Sequence, residues 1–399
     1  EEGVKKFIEW YKKLKPEIYE PRFAKSILIF SLAYIPLVGG AEVAIKEITD
    51  RLDNNSYDLI TARFDKKLPS FEKIGEVNVY RVGWGNKLDK YFYFFLALFK
   101  ALSLNKKRKY QIVWAMMANY AGLAALLFKL THRPVKYFLT LQSGDSDSFI
   151  RKRTWFWYPL YRMIYTRADV VQAISQYLKQ RARKHGYQGE VRVIPNGADI
   201  NGFNEPLAPE EREKMREKLG YAKKDKIIIS TSRLAFKNGL DDLIKSLKYL
   251  EPDYKLLILG RGPLEEKLKS LTASEGLNER VNFLGFIEHQ QLSRYYYLAD
   301  VFVRPSLTEG LGISFLEAML CRLPVIATPV GGINDFLIDQ KTGLFCQVNN
   351  PQDIAGKVKM IINNQELREN IIDNAFNLMR RDYDWQGVAD RVREIFQTL

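Results

Sequence analysis

Short apolar, β-branched runs alternate with helical stretches twice along this chain, and that alternation restricts the folds open to it. The first series starts at Lys25 with KSILIF, passes through the loop SLAYIPLVGGAE and continues into the helical run VAIKEITDRL. YDLITARF, VNVYRV, QIVWAMM, VKYFLTLQ and ADVVQAIS read as further strands, and VRVIPNGADI closes the series. The second starts at Lys226 with KIIISTSRL, followed by the helix GLDDLIKSLKYL. YKLLILGRG, VNFLGF, ADVFVRPS, LPVIATPV and GLFCQV supply its other strands. Near-continuous apolar strands followed by helices belong to parallel sheets covered on both faces. Two such series predict an α/β protein of two Rossmann-like, doubly wound domains. Ligands of such sheets bind beyond the carboxyl ends of the strands, so two facing sheets predict a site in a central cleft.

A length of 399 residues suits two domains. The turn signal Pro195-Asn196-Gly197 marks the expected boundary, giving an N-terminal domain over 25–195 and a C-terminal domain over 196–382. Residues 1–24 precede the first strand. Val4, Phe7, Ile8, Tyr11 and Leu14 share one helical face and Pro16 ends it, so an amphipathic extension is expected there. Its charges interrupt any apolar core, and no leader peptide is expected. The uncharged run Tyr110–Phe128 approaches the length of a bilayer span, but it reads better as a strand followed by a helix capped by Asn119. Cys321 and Cys346 sit among apolar neighbours and are expected to be buried, reduced thiols of a cytoplasmic protein.

Charge is divided unevenly. Residues 1–200 hold 34 Lys and Arg against 19 Asp and Glu, a surplus of +15, whereas the remainder of the chain stands at −1. A field of one sign on one half implies an anionic partner for that half: phospholipid, nucleic acid or a phosphorylated substrate.

Four stretches carry candidate chemistry. In PLVGGAE, Gly39 and Gly40 lie between strand and helix, where glycine lets backbone N–H groups approach an anion. A tight turn with no ligand explains that stretch equally well. Arg233 and Lys237 follow the first strand of the second series, a position that suits a diphosphate. A solvated pair on a loop is the plainer account of that stretch alone. Gly260 begins the strand-end turn GRGPLEEKL. In EGLGISFLE, a helix starting near Gly310 would turn its free N–H groups outward, with Glu309 at its mouth and Glu317 about two turns in, near the same face. Two carboxylates so spaced can accept hydrogen bonds from two polyols; a cap and an ordinary helix glutamate form the simpler alternative.

Taken together, the order PxxGGAE, IPNGxD, SRLxxKNG, LGxGP, VxFLG, ADVFVxPSxxEGxGxxxLEAM and PVIATxVGG resembles the retaining nucleotide-sugar glycosyltransferases of family 4, which have the GT-B fold. The resemblance spans about residues 26–395. It implies that Glu309 holds the donor sugar and Glu317 the ribose, with the N–H groups of Gly310, Leu311, Gly312 and Ile313 facing the donor. It further implies that Arg233 and Lys237 contact the diphosphate, that Gly39 and Gly40 approach it from the other domain, and that Phe286 and Ile287 border the base. The first domain would then take the acceptor and the second the donor, with a C-terminal helix over 383–399 crossing back to the first. Many members carry a histidine where this chain has Gln142, which can donate a hydrogen bond but take no proton. Gln142, Gly144 and Asp145 form the expected acceptor and sugar side. The triplet Asp145-Ser146-Asp147 also matches a metal-binding pattern of another transferase fold. With two cations at hand, no metal and no other cofactor is expected.

Lys106, Lys107, Arg108 and Lys109, and then Arg151, Lys152, Arg153, Trp155 and Trp157, mix cations with aromatics as membrane-interface segments do. The expected protein is therefore a metal-independent, retaining hexosyltransferase using a UDP- or GDP-linked donor and a lipid-linked or polysaccharide acceptor. It would sit in the cytoplasm, peripherally on the inner face of the cell membrane, bound to anionic lipid and not to nucleic acid. The alternatives are a GT-B-type epimerase or phosphorylase, and a non-catalytic membrane or nucleic-acid binding protein.

Overall fold

The computed structural model describes Gly3, residues 25–37 and residues 39–399; the amphipathic segment expected over Val4–Leu14 lies outside the described residues. Two sheets carry the fold. The first has strands β1 (Ser26–Phe30), β2 (Ser56–Ala62), β3 (Phe71–Ile74), β4 (Val77–Val82), β5 (Ile112–Met116), β6 (Lys136–Leu141), β7 (Val170–Ala173) and β8 (Val191–Val193), in the order β3-β4-β2-β1-β5-β6-β7-β8. The second has β9 (Lys226–Thr231), β10 (Tyr254–Leu259), β11 (Val281–Gly285), β12 (Val301–Arg304), β13 (Val325–Ala327) and β14 (Leu344–Phe345), in the order β11-β10-β9-β12-β13-β14. Every adjacent pair of the second sheet is parallel. In the first sheet β1 pairs in parallel with β2 and β5, and β2 with β4, while β3 returns antiparallel along β4.

The two α/β domains with parallel sheets are thus present. Ile27, Leu28, Ile29 and Phe30 of β1 have no exposed surface, nor do Ile227, Ile228 and Ile229 of β9. Burial on both faces explains why these strands read as unbroken apolar runs. Chain contacts define two compact units. One holds the chain up to Leu139 with Met163–Val170 and Ala389–Leu399; the other holds Thr140–Arg162 and Val171–Val388. In the first, fully buried Trp114 meets the rings of Phe138 and Phe396, the latter from the helix Trp385–Thr398. In the second, Ile228, Leu256, Val303, Ile326 and Leu344 form the sheet's contribution to a core closed by Leu243, Val358 and Ile371.

Tyr110–Phe128 does divide into β5 and the helix Tyr120–Thr131, whose Asn119 side chain accepts from the Ala121 N–H. Among the described residues, no helix is long and apolar enough to cross a membrane. Both cysteines are free and buried.

Three details depart from expectation. β3 was not anticipated. GLFCQV yields only the two-residue strand β14. The helix expected from Gly310 starts at Ile313 and runs to Leu320. Gly312 holds φ at +90°, outside the helical region, so the backbone cannot enter the helix earlier. Glu309 consequently lies on the loop before the helix, and the two glutamates do not share a helix face.

Candidate active site

The candidate residues of the second unit gather where β9 to β12 end. After β9, Ser232–Gly239 forms a loop with exposed Arg233, half-exposed Lys237 and a short 3-10 turn over Phe236–Asn238. Gly239 has φ +63° and its backbone abuts the Pro305 carbonyl, leaving no room for a Cβ. After β10, Gly260 has φ +130° and lies directly on the Ser232 carbonyl. Backbone packing thus accounts for the glycine at that strand end. Phe286 follows β11 and is exposed, with Ile287 half-buried beside it in sequence.

β12 delivers Arg304, which sequence reasoning did not single out. Its side chain is 6% exposed. Nη2 donates to Glu309 Oε2 at 2.7 Å, and Nη1 to Ser314 Oγ at 2.7 Å and more weakly to the Thr231 carbonyl at 3.4 Å. The guanidinium also lies 4.0 Å from the centre of the Phe315 ring. Glu309 Oε1 accepts from the N–H of Gly310 at 2.9 Å. The carboxylate is therefore held at both oxygens, and each oxygen keeps a lone pair for another donor. The Gly310 N–H, expected to face a donor, is occupied by this bond. The buried arginine charge stands beside a fixed carboxylate, which offsets part of the desolvation cost of both.

Glu317 is buried within the helix. Its Oε1 lies 2.8 Å from His289 Nε2, and its Oε2 accepts from the Tyr296 hydroxyl at 3.0 Å. That hydroxyl also lies 2.6 Å from Thr231 Oγ1. Burial and the neighbouring Glu317 hold the Tyr296 phenol well above its ordinary range, so it remains a neutral donor. His289 thus reaches the glutamate 28 residues further on.

Gln142, Gly144 and Asp145 belong to the same compact unit. Gln142 exchanges two amide hydrogen bonds with Asn196, at 2.9 and 2.7 Å. Thr308 Oγ1 donates to the Gly144 carbonyl at 2.7 Å, and Gly144 meets the backbone of Glu309 and Gly310 where a Cβ would collide. Gly331 and Gly332 press equally closely on the carbonyls of Glu309 and Gly310. Asp145 lies 3.8 Å from Lys237 Nζ. Asp147 pairs with Arg181 and Lys184. Among the described residues there is no group of three or more His, Cys, Asp or Glu side chains able to hold a metal.

Gly39 and Gly40 belong to the other unit, where Gly39 stands at the start of the helix Gly40–Arg51 without a side-chain cap. Buried Glu42 lies one turn in, and burial raises its carboxyl above the usual range. Lys106, Lys107, Arg108 and Lys109 are exposed at the end of the helix Asp89–Arg108, although Arg108 is tied to buried Asp58 at 3.0 Å. Arg151, Lys152, Arg153 and Trp155 are exposed as well. Trp157 is only half-exposed, with its ring edge-on to Tyr161.

Two carboxylates beyond the carboxyl edge of a parallel sheet, with Arg233 and Lys237 on the loop after β9, form the arrangement that the resemblance to GT-B transferases implied. Residues 38–201 match the family model described as Glycosyltransferase Family 4, and residues 211–378 match Glycosyl transferases group 1. An uncharacterized glycosyltransferase of Methanocaldococcus jannaschii is 29% identical over 384 residues, covering 90% of this chain and 95% of its own. A GDP-mannose-dependent monoacylated alpha-(1-6)-phosphatidylinositol monomannoside mannosyltransferase of Corynebacterium glutamicum is 30% identical over 248 residues, 59% of this chain and 64% of its own. Among solved structures, Anabaena HepE in complex with UDP and glucose superposes with a TM-score of 0.79 at 21% identity, covering 94% of this chain and 100% of that one. The chain belongs to the family 4-type GT-B glycosyltransferases.

Proposed function

We propose that this glycosyltransferase moves a hexose from a UDP- or GDP-linked donor to a hydroxyl of a lipid-linked or polysaccharide acceptor, with retention at the anomeric carbon and without a metal. The observation that carries the reading is the arrangement around Arg304: a carboxylate, Glu309, fixed at both oxygens, on a loop whose Leu307 N–H donates to the carbonyl of cationic Lys237. Glu309 accepts from sugar hydroxyls, and Glu317, backed by His289 and Tyr296, accepts from the ribose. Arg233 and Lys237 meet the diphosphate. In the reaction the bond from the anomeric carbon to the diphosphate oxygen breaks as the bond to the acceptor oxygen forms on the same face. The acceptor's proton passes to the departing diphosphate oxygen. Both cations stabilise the charge that develops there, which is where electrostatic help acts most strongly. The N-terminal domain takes the acceptor and the C-terminal domain the donor.

The relative named for a phosphatidylinositol mannoside supports a lipid acceptor. So does the exposure of apolar and basic side chains: Leu88, Tyr91, Phe92, Phe95 and Phe99 about the helix Asp89–Arg108, and Trp155 and Phe156 beside Arg151–Arg153. These suit a peripheral position on the cytoplasmic face of an anionic membrane. The test is incubation of the purified protein with UDP- and GDP-hexoses and extracted membrane lipid, with products identified by mass and anomeric configuration. A glycolipid with retained configuration is expected. Epimerised donor without acceptor, phosphate-dependent release of sugar phosphate, or no turnover of any donor overturns the reading.

A further inference from the structure

The loop Ser143–Asp147 is fixed from several sides. Buried Arg181 donates from Nη1 to the Ser143 carbonyl at 2.7 Å and from Nη2 to the Asp145 carbonyl and the Tyr177 hydroxyl. Its Nε faces Asp147 Oδ1 at 3.2 Å. Thr308 holds the Gly144 carbonyl, and Gly144 meets Gly310 backbone to backbone. Lys237 is fixed in a similar way, because its carbonyl accepts from the Leu307 N–H at 2.7 Å. Both loops are thus anchored to the same segment after β12. What remains free to move is the pair of side chains at their tips, Asp145 Oδ1 and Lys237 Nζ, 3.8 Å apart and 42% and 38% exposed.

We propose that Asp145 is a built-in competitor for the anion that Lys237 takes. This rests on the nucleotide-sugar reading above. Without donor, the Asp145 carboxylate holds the ammonium. A diphosphate displaces it, since two anions crowded at one cation repel each other. After transfer, Asp145 reclaims Lys237 and speeds departure of the nucleoside diphosphate. The exchange is cheap because a half-exposed ion pair is weak. A buried pair would lock the site.

The experiment is calorimetric titration of UDP and of GDP into wild type, Asp145→Asn, Lys237→Gln and the double variant, each with an unchanged melting curve. At low salt, Asp145→Asn is expected to tighten binding of the preferred nucleotide about two- to five-fold, as expected for loss of a weak competing pair. Product inhibition tightens in step. In the Lys237→Gln background the same change has no effect, which makes the two substitutions non-additive. Near 1 M salt, where the screening length is about 3 Å, the difference between wild type and Asp145→Asn disappears. Unchanged or weaker binding by Asp145→Asn, with wild type binding normally, overturns the exchange and leaves the function reading standing. Equal tightening with and without Lys237 also overturns it. Wild type that binds neither nucleotide overturns the function reading, and this inference with it.

Discussion

Lys237 and Arg304 carry like charges beside the same carboxylate loop, yet their burial gives them different work. Lys237 is half-exposed and able to meet a ligand. Lys237→Ala is expected to lower turnover about 100-fold or more, the usual cost of removing one transition-state charge contact; steady-state kinetics on the folded variant measure this, and wild-type turnover would remove Lys237 from the site. Arg304 is buried against Glu309, Ser314 and Phe315. Arg304→Met leaves a carboxylate without its cation, which costs about 3–5 kcal/mol for a buried pair. Chemical denaturation should show that loss, and Arg304→Lys should recover only part of it because an ammonium lacks the guanidinium fork. His185 supplies a pH test. Burial pushes its imidazole down to about 4 from an ordinary value of 6.5, against a smaller opposite pull from Asp147. The unfolded chain therefore binds a proton that the native state refuses between these values. Stability from this residue is complete above pH 6.5 and is lost as pH falls toward 4. Urea midpoints at pH 7 and 4.5 should fall less for His185→Gln than for wild type. That Arg233, Lys237 and Glu309 lie on the loops after β9 and β12 was legible in sequence, because each follows an unbroken apolar run. Arg304 was not: an arginine closing a strand reads as a solvated charge until Phe315 and Glu309 are seen to cover it. The contact of His289 with Glu317 was hidden for the same reason, since it joins residues brought together only by the fold.

At the level of elements, the parallel strands were readable because burial on both faces demands unbroken apolar residues. β3 was not, since FEKI alternates exposed with half-buried positions and pairs antiparallel at the sheet edge. The helix after β12 was misplaced by three residues because its start depends on the +90° φ of Gly312, which spacing does not reveal. The helix Asp89–Arg108 has an inner face of Tyr93, Ala97 and Ala101, all fully buried, and an outer one of Tyr91, Phe92, Phe95 and Phe99. Phe99 is 67% exposed. Such a face has little to gain from water, and on the proposed membrane surface it enters the headgroup region. Exchanging Phe95 and Phe99 for Ser should weaken binding to lipid vesicles about ten-fold or more, given about 1.5–3 kcal/mol per buried side chain of this size. Co-sedimentation measures it, and the loss should persist at high salt.

Over the whole chain, residues 1–200 carry a surplus of +15 against −1 beyond them. Arg151, Lys152 and Arg153 are exposed contributors. Each basic residue near an anionic surface contributes on the order of 1 kcal/mol within a Debye length. Changing all three to Gln should lower affinity for anionic vesicles up to about 100-fold while leaving the weak affinity for neutral ones in place, as co-sedimentation at two lipid compositions will show. Equal binding by variant and wild type would assign these cations to another partner, with single-stranded nucleic acid the next to try.

Gly144, Gly310, Gly331 and Gly332 bring three stretches of main chain together with no side chain between them. Such a junction has nothing to trim or enlarge. Any replacement there must push whole loops apart, so mutational drift can retune this enzyme only through the side chains that project around the junction. Donor and acceptor preference should therefore change in discrete steps at positions such as Gln142, Asp145 and Phe286, while the distance between the loops stays constant. A library that varies those three positions and leaves the four glycines alone samples new specificities on an unaltered frame.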